Sequence, residues 1–114
     1  MDATDNLFIL WTSSEKETFD EMVYMYALNG KKLGWWKEVT LIIWGASARL
    51  CGEDEVVRLK IKELAENGVQ VTACKACAED LGVAEKLENI GVEVKYWGRP
   101  LTQVLQSGAK LITI

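Results

Sequence analysis

The chain has 114 residues, 49% hydrophobic and 26% charged, with one proline and nine glycines, the balance of a single globular domain over residues 1–114 rather than of a disordered or fibrous chain. Thirteen basic residues against seventeen acidic ones leave a formal charge of −4, and no window gathers Lys and Arg into the surface that nucleic acid requires, so no nucleic acid partner is expected. The absence of histidine removes histidine bases, Ser-His-Asp triads and histidine metal ligands together.

Residues 1–6, "MDATDN", hold two acids and no base, so they lack the positive region of an export signal and read as a short solvated leader. No stretch approaches the roughly 20 apolar residues of a membrane span. The expected location is the cytoplasm, with no membrane partner. "NLFILWTSS", 6–14, is a continuous apolar run of the kind buried on both faces of a sheet. A helix follows, with Ser14 as its cap and Glu17 at capping-box spacing. Phe19, Met22, Val23, Tyr26 and Ala27 recur at helical intervals until Asn29-Gly30. "EVTLIIWGAS", 38–47, is a second buried strand running into small residues.

Two helix-to-strand joints come next. Val57, Ile61, Leu64 and Ala65 share a helical face that stops at Asn67-Gly68 before strand 69–73; "AEKLENIG" stops at Gly91 before strand 92–97. A last helix over about residues 100–107, with Pro100 in its first turn and Gly108 after its end, leads to the strand "AKLITI". Five strands alternating with helices predict an α/β fold, a three-layer α/β/α sandwich around a mainly parallel five-stranded sheet. The similar "LAENGVQV" and "LENIGVEV" are two crossovers with one solution, not repeats of a solenoid.

In such sheets ligands collect beyond the carboxyl ends of the strands. That edge would hold Thr12-Ser13-Ser14, the stretch Gly45-Ala46-Ser47-Ala48-Arg49-Leu50-Cys51, Cys74-Lys75-Ala76-Cys77 and Gly98-Arg99-Pro100. Cys74 stands at a strand-to-helix junction, where helix amides and a nearby cation favour the thiolate. Lys75 adjoins it, and Arg49 and Arg99 can approach from neighbouring loops. Cys77, three residues on, is either a resolving partner or a small apolar residue filling space. Cys51 reads as structural, in a loop. Ser13, Gly45 and Ser47 complete the candidate substrate-binding set.

One C-x-x-C with a single further cysteine cannot furnish a usual zinc set, and "WGASARLCGED" lacks the glycine spacing of a phosphate loop, so neither metal nor organic cofactor is expected. A thioredoxin-like site is disfavoured because its C-x-x-C normally follows the first strand. Trp11, Trp44 and Trp97 fall at three strand ends, where they either roof a pocket around the thiols or pack the core. Trp35-Trp36, with Tyr24 and Met25, reads as an apolar patch that can mate with another subunit.

Taken in order, the strand with "WGASARL", the helix start "EDEVVRLK", "GVQVTACKACAEDLGV" and "GVEVKYWG" followed by "PLTQVLQSG" resemble the DsrE/DsrF-like family over roughly residues 6–114. The resemblance implies a DsrE-like α/β fold, homo-oligomers that are trimers or hexamers, and a sulfur relay in which a persulfide passes between a sulfur donor and an acceptor protein. It matches the family's sulfur-carrying cysteine to Cys74. Two further readings stay open: a non-catalytic oligomeric module binding a small ligand or protein at the strand ends, and a Cys74/Cys77 dithiol redox protein.

Overall fold

The structure, a computed structural model, describes residues 5–114. Most of the expected leader therefore lies outside the described residues, and Asn6 already belongs to the first strand. Five strands, β1 (Asn6–Trp11), β2 (Glu38–Ile43), β3 (Gln70–Cys74), β4 (Glu93–Lys95) and β5 (Lys110–Thr113), form one sheet in the order β4-β3-β2-β1-β5. Every pairing is parallel, which completes the α/β fold expected from the alternation of elements. Helix α1 runs through three consecutive segments, Lys16–Thr18, a π-helical Phe19–Tyr24 and Met25–Lys32. The others are α2 (Ala46–Glu53), α3 (Glu55–Glu66), α4 (Lys75–Asp80), α5 (Ala84–Glu88) and α6 (Gly98–Gln106). None is long and apolar enough to cross a membrane.

Three local expectations are corrected. Ser14 does not cap α1; the cap position is Glu15, and the Ser13 hydroxyl accepts the Glu15 N–H at 3.1 Å, a serine turn formed one residue earlier than the capping box would need. The helix passes through Asn29 and Gly30 and stops before Gly34, whose φ of 73° suits only glycine. Gly30 instead permits close packing, since a Cβ there would stand 3.3 Å from Trp36 Cδ1. The segment expected to be a loop around Cys51 is α2, because Ala48, Leu50 and Cys51 bury one side of a short helix.

Handedness then decides which face of the sheet each helix covers. From β1 to β4 the chain steps one way across the sheet, and α1 to α5 all contribute to one core. Between β4 and β5 it returns across the whole sheet, and a right-handed crossover in the opposite direction must lie on the opposite face. Only α6 is there, with Leu101 and Val104 against Ile42, Cys74 and Trp97. The second outer layer of the sandwich is thus one helix.

Strand parity follows from the same division. Leu7, Ile9 and Trp11, Val39, Leu41 and Ile43, and Val71 and Ala73 face the main core, where Phe19 and Val23 of α1 and Val57, Ile61 and Leu64 of α3 meet them. Each such aliphatic side chain contributes roughly 1.5–3 kcal/mol on burial. The opposite parity carries Phe8, Thr40 and Thr72, and it leaves a depression of about 190 Å³ bordered by Asn6, Glu38, Gln70, Glu93 and Trp97.

Asp54 caps α3. Its carboxylate accepts the Val57 N–H at 3.0 Å and pairs with Lys16 at 3.1 Å, and these partners hold its carboxyl below the usual carboxylate range. Asp54→Ala should cost about 1 kcal/mol in urea unfolding at neutral pH. The unfolded carboxyl ionises near about 3.9, so this contribution is full above that pH and fades as pH falls through the folded value, where the two proteins should converge.

Cys51 is fully buried, and burial pushes its thiol up to about 12 although Arg58 lies nearby, its guanidinium donating to the Cys51 and Gly52 carbonyls at 2.7 and 2.9 Å. The unfolded thiol ionises near about 8.5, so stability is lost as pH rises above that value. Cys51→Ala should flatten the decline between about pH 9 and 11 in urea titrations, and Cys51 should resist iodoacetamide until the protein is unfolded.

Candidate functional site

Cys74 is at once the last residue of β3 and the N-cap of α4, which makes Cys77 its third helical residue. Side chains at these two positions approach one another, as in a capping box. Here the result is a pair of free thiols close enough for each to feel the other's ionisation. Cys74 is 6% exposed, between Ile42 and Trp97, with Trp44, Leu101 and Val104 packed around the cluster. Cys77 is half-buried and further out.

The backbone of the β2 exit completes the pair. Gly45 has φ 70° and ψ −129°, a conformation reserved in practice for glycine, and its backbone N–H favours the Cys77 thiolate. Burial pushes the Cys77 thiol up, the Gly45 N–H opposes this, and the neighbouring Cys74 thiol adds to the rise. Cys77 is therefore held neutral at ordinary pH.

The position of the pair follows from topology. The chain leaves β3 toward the main-core face through α4 and leaves the adjacent β4 toward the other face through α6. Divergence of neighbouring connections opens a crevice at the carboxyl edge, the usual ligand position in open parallel sheets. Cys74 pairs in register with Lys95 across that crevice. The Lys95 ammonium lies 4.7 Å from the centre of the Trp97 ring, and that of Lys75 5.2 Å from the Tyr96 ring, so two cations rest on the aromatic β4 exit. The Trp97 indole N–H is buried without an acceptor among the described residues.

The expected site residues divide. Cys74, Cys77 and Gly45 come together, and Lys75 borders them with its ammonium over Tyr96. Ser47 is fully enclosed, its hydroxyl donating to the Trp11 carbonyl at 2.6 Å and accepting the Trp44 N–H at 3.0 Å, so it supports the site rather than lining it. Ser13 belongs to the β1 exit, with β2 between it and β3, and its N–H donates to the Ile114 carbonyl. Arg49 and Arg99 are exposed on α2 and α6, with no ion pair among the described residues. Cys51 faces the main core, away from the pair.

Of the three tryptophans at strand ends, Trp44 and Trp97 flank the thiols. Trp11 has the other parity and stacks on Phe19 at 4.7 Å in the main core. The apolar cover over Cys74, Leu101 and Val104, was not singled out from the sequence; their spacing of three in "PLTQVLQ" is the signal that marks them as one face of α6.

The fold is shared with known proteins. A conserved protein of unknown function, BT1422 from Bacteroides thetaiotaomicron, has a solved structure that is 45% identical, with a TM-score of 0.97 and coverage of 100% of this chain and 98% of that chain. The ychN protein from E. coli shares the fold at 16% identity, with a TM-score of 0.70 and coverage of 96% and 97%. No match was found among curated proteins. The DsrE/DsrF-like family matches from Asn6, the first residue of β1, to Ile114, and the chain belongs to that family.

Proposed function

We propose that Cys74 accepts a sulfane sulfur atom from a donor persulfide and passes it to an acceptor thiol. The observation that carries this reading is the placement of Cys74 as the last residue of β3 and N-cap of α4, with Cys77 at the third helical position, in the β3–β4 crevice. Membership of the DsrE/DsrF-like family supports a role related to sulfur relay.

The exchange balances without an oxidant. The Cys74 thiolate attacks the terminal sulfur of the donor persulfide; the donor S–S bond breaks, a new S–S bond forms at Cys74, and the donor leaves as a thiolate that takes up a proton. Delivery repeats the step with an acceptor thiolate attacking the terminal sulfur held on Cys74. Lys75 supplies positive potential beside the carrier, while Lys95, the register partner of Cys74, shares its charge with Glu93 at 3.4 Å.

Cys77 decides how long the sulfur stays. Were its thiolate to attack the inner sulfur of the Cys74 persulfide, hydrosulfide would leave and a Cys74–Cys77 disulfide would remain, to be reduced by an external thiol. Burial keeps Cys77 protonated at ordinary pH, which slows that discharge and favours carriage.

A second reading, a module that binds a ligand or protein without sulfur chemistry, is favoured by one observation: Cys74 is only 6% exposed, so it also fits a packing role. Intact-protein mass spectrometry after mixing with an alkyl persulfide separates the two. The carrier gains one sulfur atom in wild type and Cys77→Ser and none in Cys74→Ser, with longer retention in Cys77→Ser. A folded wild-type protein that gains no sulfur from any persulfide supports the binding module. Loss of two hydrogens with no added sulfur points to the dithiol.

A further inference from the structure

We propose that the depression on the sparsely covered face of the sheet binds a small neutral polyhydroxy compound, a monosaccharide or a cyclic polyol. This rests on no part of the sulfur reading, since Cys74 does not line the depression.

Strand parity builds the hollow. Thr40 of β2 and Thr72 of β3 are buried in its floor, their hydroxyls donating to Gln70 Oε1 at 3.2 Å and to the Leu41 carbonyl at 2.9 Å. Phe8 and Trp97 border it as well, and both also belong to the cluster around Cys74, so the hollow and the thiol site have these two residues in common. Its volume of about 190 Å³ is below the roughly 300–1,000 Å³ of drug-sized pockets, which limits an occupant to one small ring or a short chain.

Two polar atoms of this lining are buried without a partner among the described residues. One is Asn6 Oδ1, an acceptor; the other is the Trp97 indole N–H, a donor on a side chain that is 3% exposed. The third such atom among the described residues, Trp11 Nε1, is in the main core. Proteins pair nearly all buried polar groups, because an orphan forfeits its bonds to water. An unanswered donor and an unanswered acceptor on one hollow mark a place where a ligand supplies what the chain does not.

Charge then selects the ligand. Glu38 and Glu93 each have an ammonium partner, Lys31 at 3.7 Å and Lys95 at 3.4 Å, so the lining carries no uncompensated charge that would draw in a cation or an anion. Both separations exceed the roughly 2.7–2.9 Å of a charge-assisted hydrogen bond, so the carboxylates keep lone pairs to offer. The Gln70 amide N–H groups add donors beside them, its oxygen being occupied by Thr40. A fitting occupant is therefore neutral and both gives and accepts hydrogen bonds at several points. Hydroxyl groups do both, and Phe8 and Trp97 supply apolar surface for the C–H face of a polyhydroxy ring.

NMR of the tryptophan indole N–H groups in the isotope-labelled full chain tests this, with Trp97→Phe identifying the Trp97 signal. Of D-glucose, D-ribose and myo-inositol, at least one should shift that signal and saturate with a Kd of about 1 mM or tighter. Putrescine and acetate, a cation and an anion, should not. Glu93→Ala, at an exposed position, and Trp97→Phe, read by ligand-observed saturation transfer, should each weaken binding about fivefold or more. Far-ultraviolet circular dichroism matching wild type shows that a variant is folded. The proposal is overturned if none of the three polyols shifts the Trp97 signal, if putrescine or acetate binds as tightly as the best of them, or if neither folded variant weakens binding.

Discussion

The handedness of parallel crossovers is the constraint on which the rest of this structure depends. An all-parallel sheet admits only right-handed returns, so one reversal of direction across the sheet moves a helix to the other face. The chain reverses once, between β4 and β5. From that follow a thick helical layer on one face, α6 alone on the other, and a crevice where the connections after β3 and β4 diverge. Cys74 is the last residue of β3, so the topology that sets the sheet order also sets the thiol in the crevice.

Three cysteines of one chain thereby occupy three environments. Cys51, on α2, faces a dry core where desolvation alone suppresses ionisation. Cys77 is partly desolvated but meets a backbone donor and a neighbouring thiol. Cys74 lies under Trp97 on the sparsely covered face, within reach of the β4 exit and its two cations. Covering by a single helix encloses a thiol without surrounding it on all sides, whereas the main-core face with its five helices leaves nothing of Cys51 exposed.

Continuous apolar runs and glycine stops made the five strands legible. Gly68 and Gly91, both with φ of 92°, end helices where the Asn-Gly and Ile-Gly pairs indicated. Strand order was not legible, because β1 and β2 are both apolar at nearly every position and either suits a central place; the wider pattern of burial distinguishes them only after folding. Parity was hidden for the same reason. Nothing in "NLFILW" says whether Trp11 or Leu10 joins the main core, so the sequence leaves Trp11 open between the thiol site and the core, and folding places it in the core. At α1, two adjacent serines offered two local turns, and the hydroxyl of Ser13 made the one that left Ser14 idle. The C-x-x-C pair was legible because its spacing already fixes the N-cap and third-residue relation once a helix begins at Lys75.

Ser47 shows how a residue suited by position to bind substrate can instead hold the site's frame. Its hydroxyl ties the Trp11 carbonyl at the end of β1 to the Trp44 N–H just past β2, and Trp44 also donates directly to Trp11 at 3.1 Å. Buried hydrogen bonds of this kind fix a backbone because breaking one strands its partner without water. The next residue is Gly45, whose backbone N–H works against the rise of the Cys77 thiol. The paired ends of two central strands are therefore connected, through one serine, to the backbone beside the second thiol. A hydroxyl exposed to substrate would have left Gly45 on a freer loop, and the backbone beside Cys77 would be less firmly fixed.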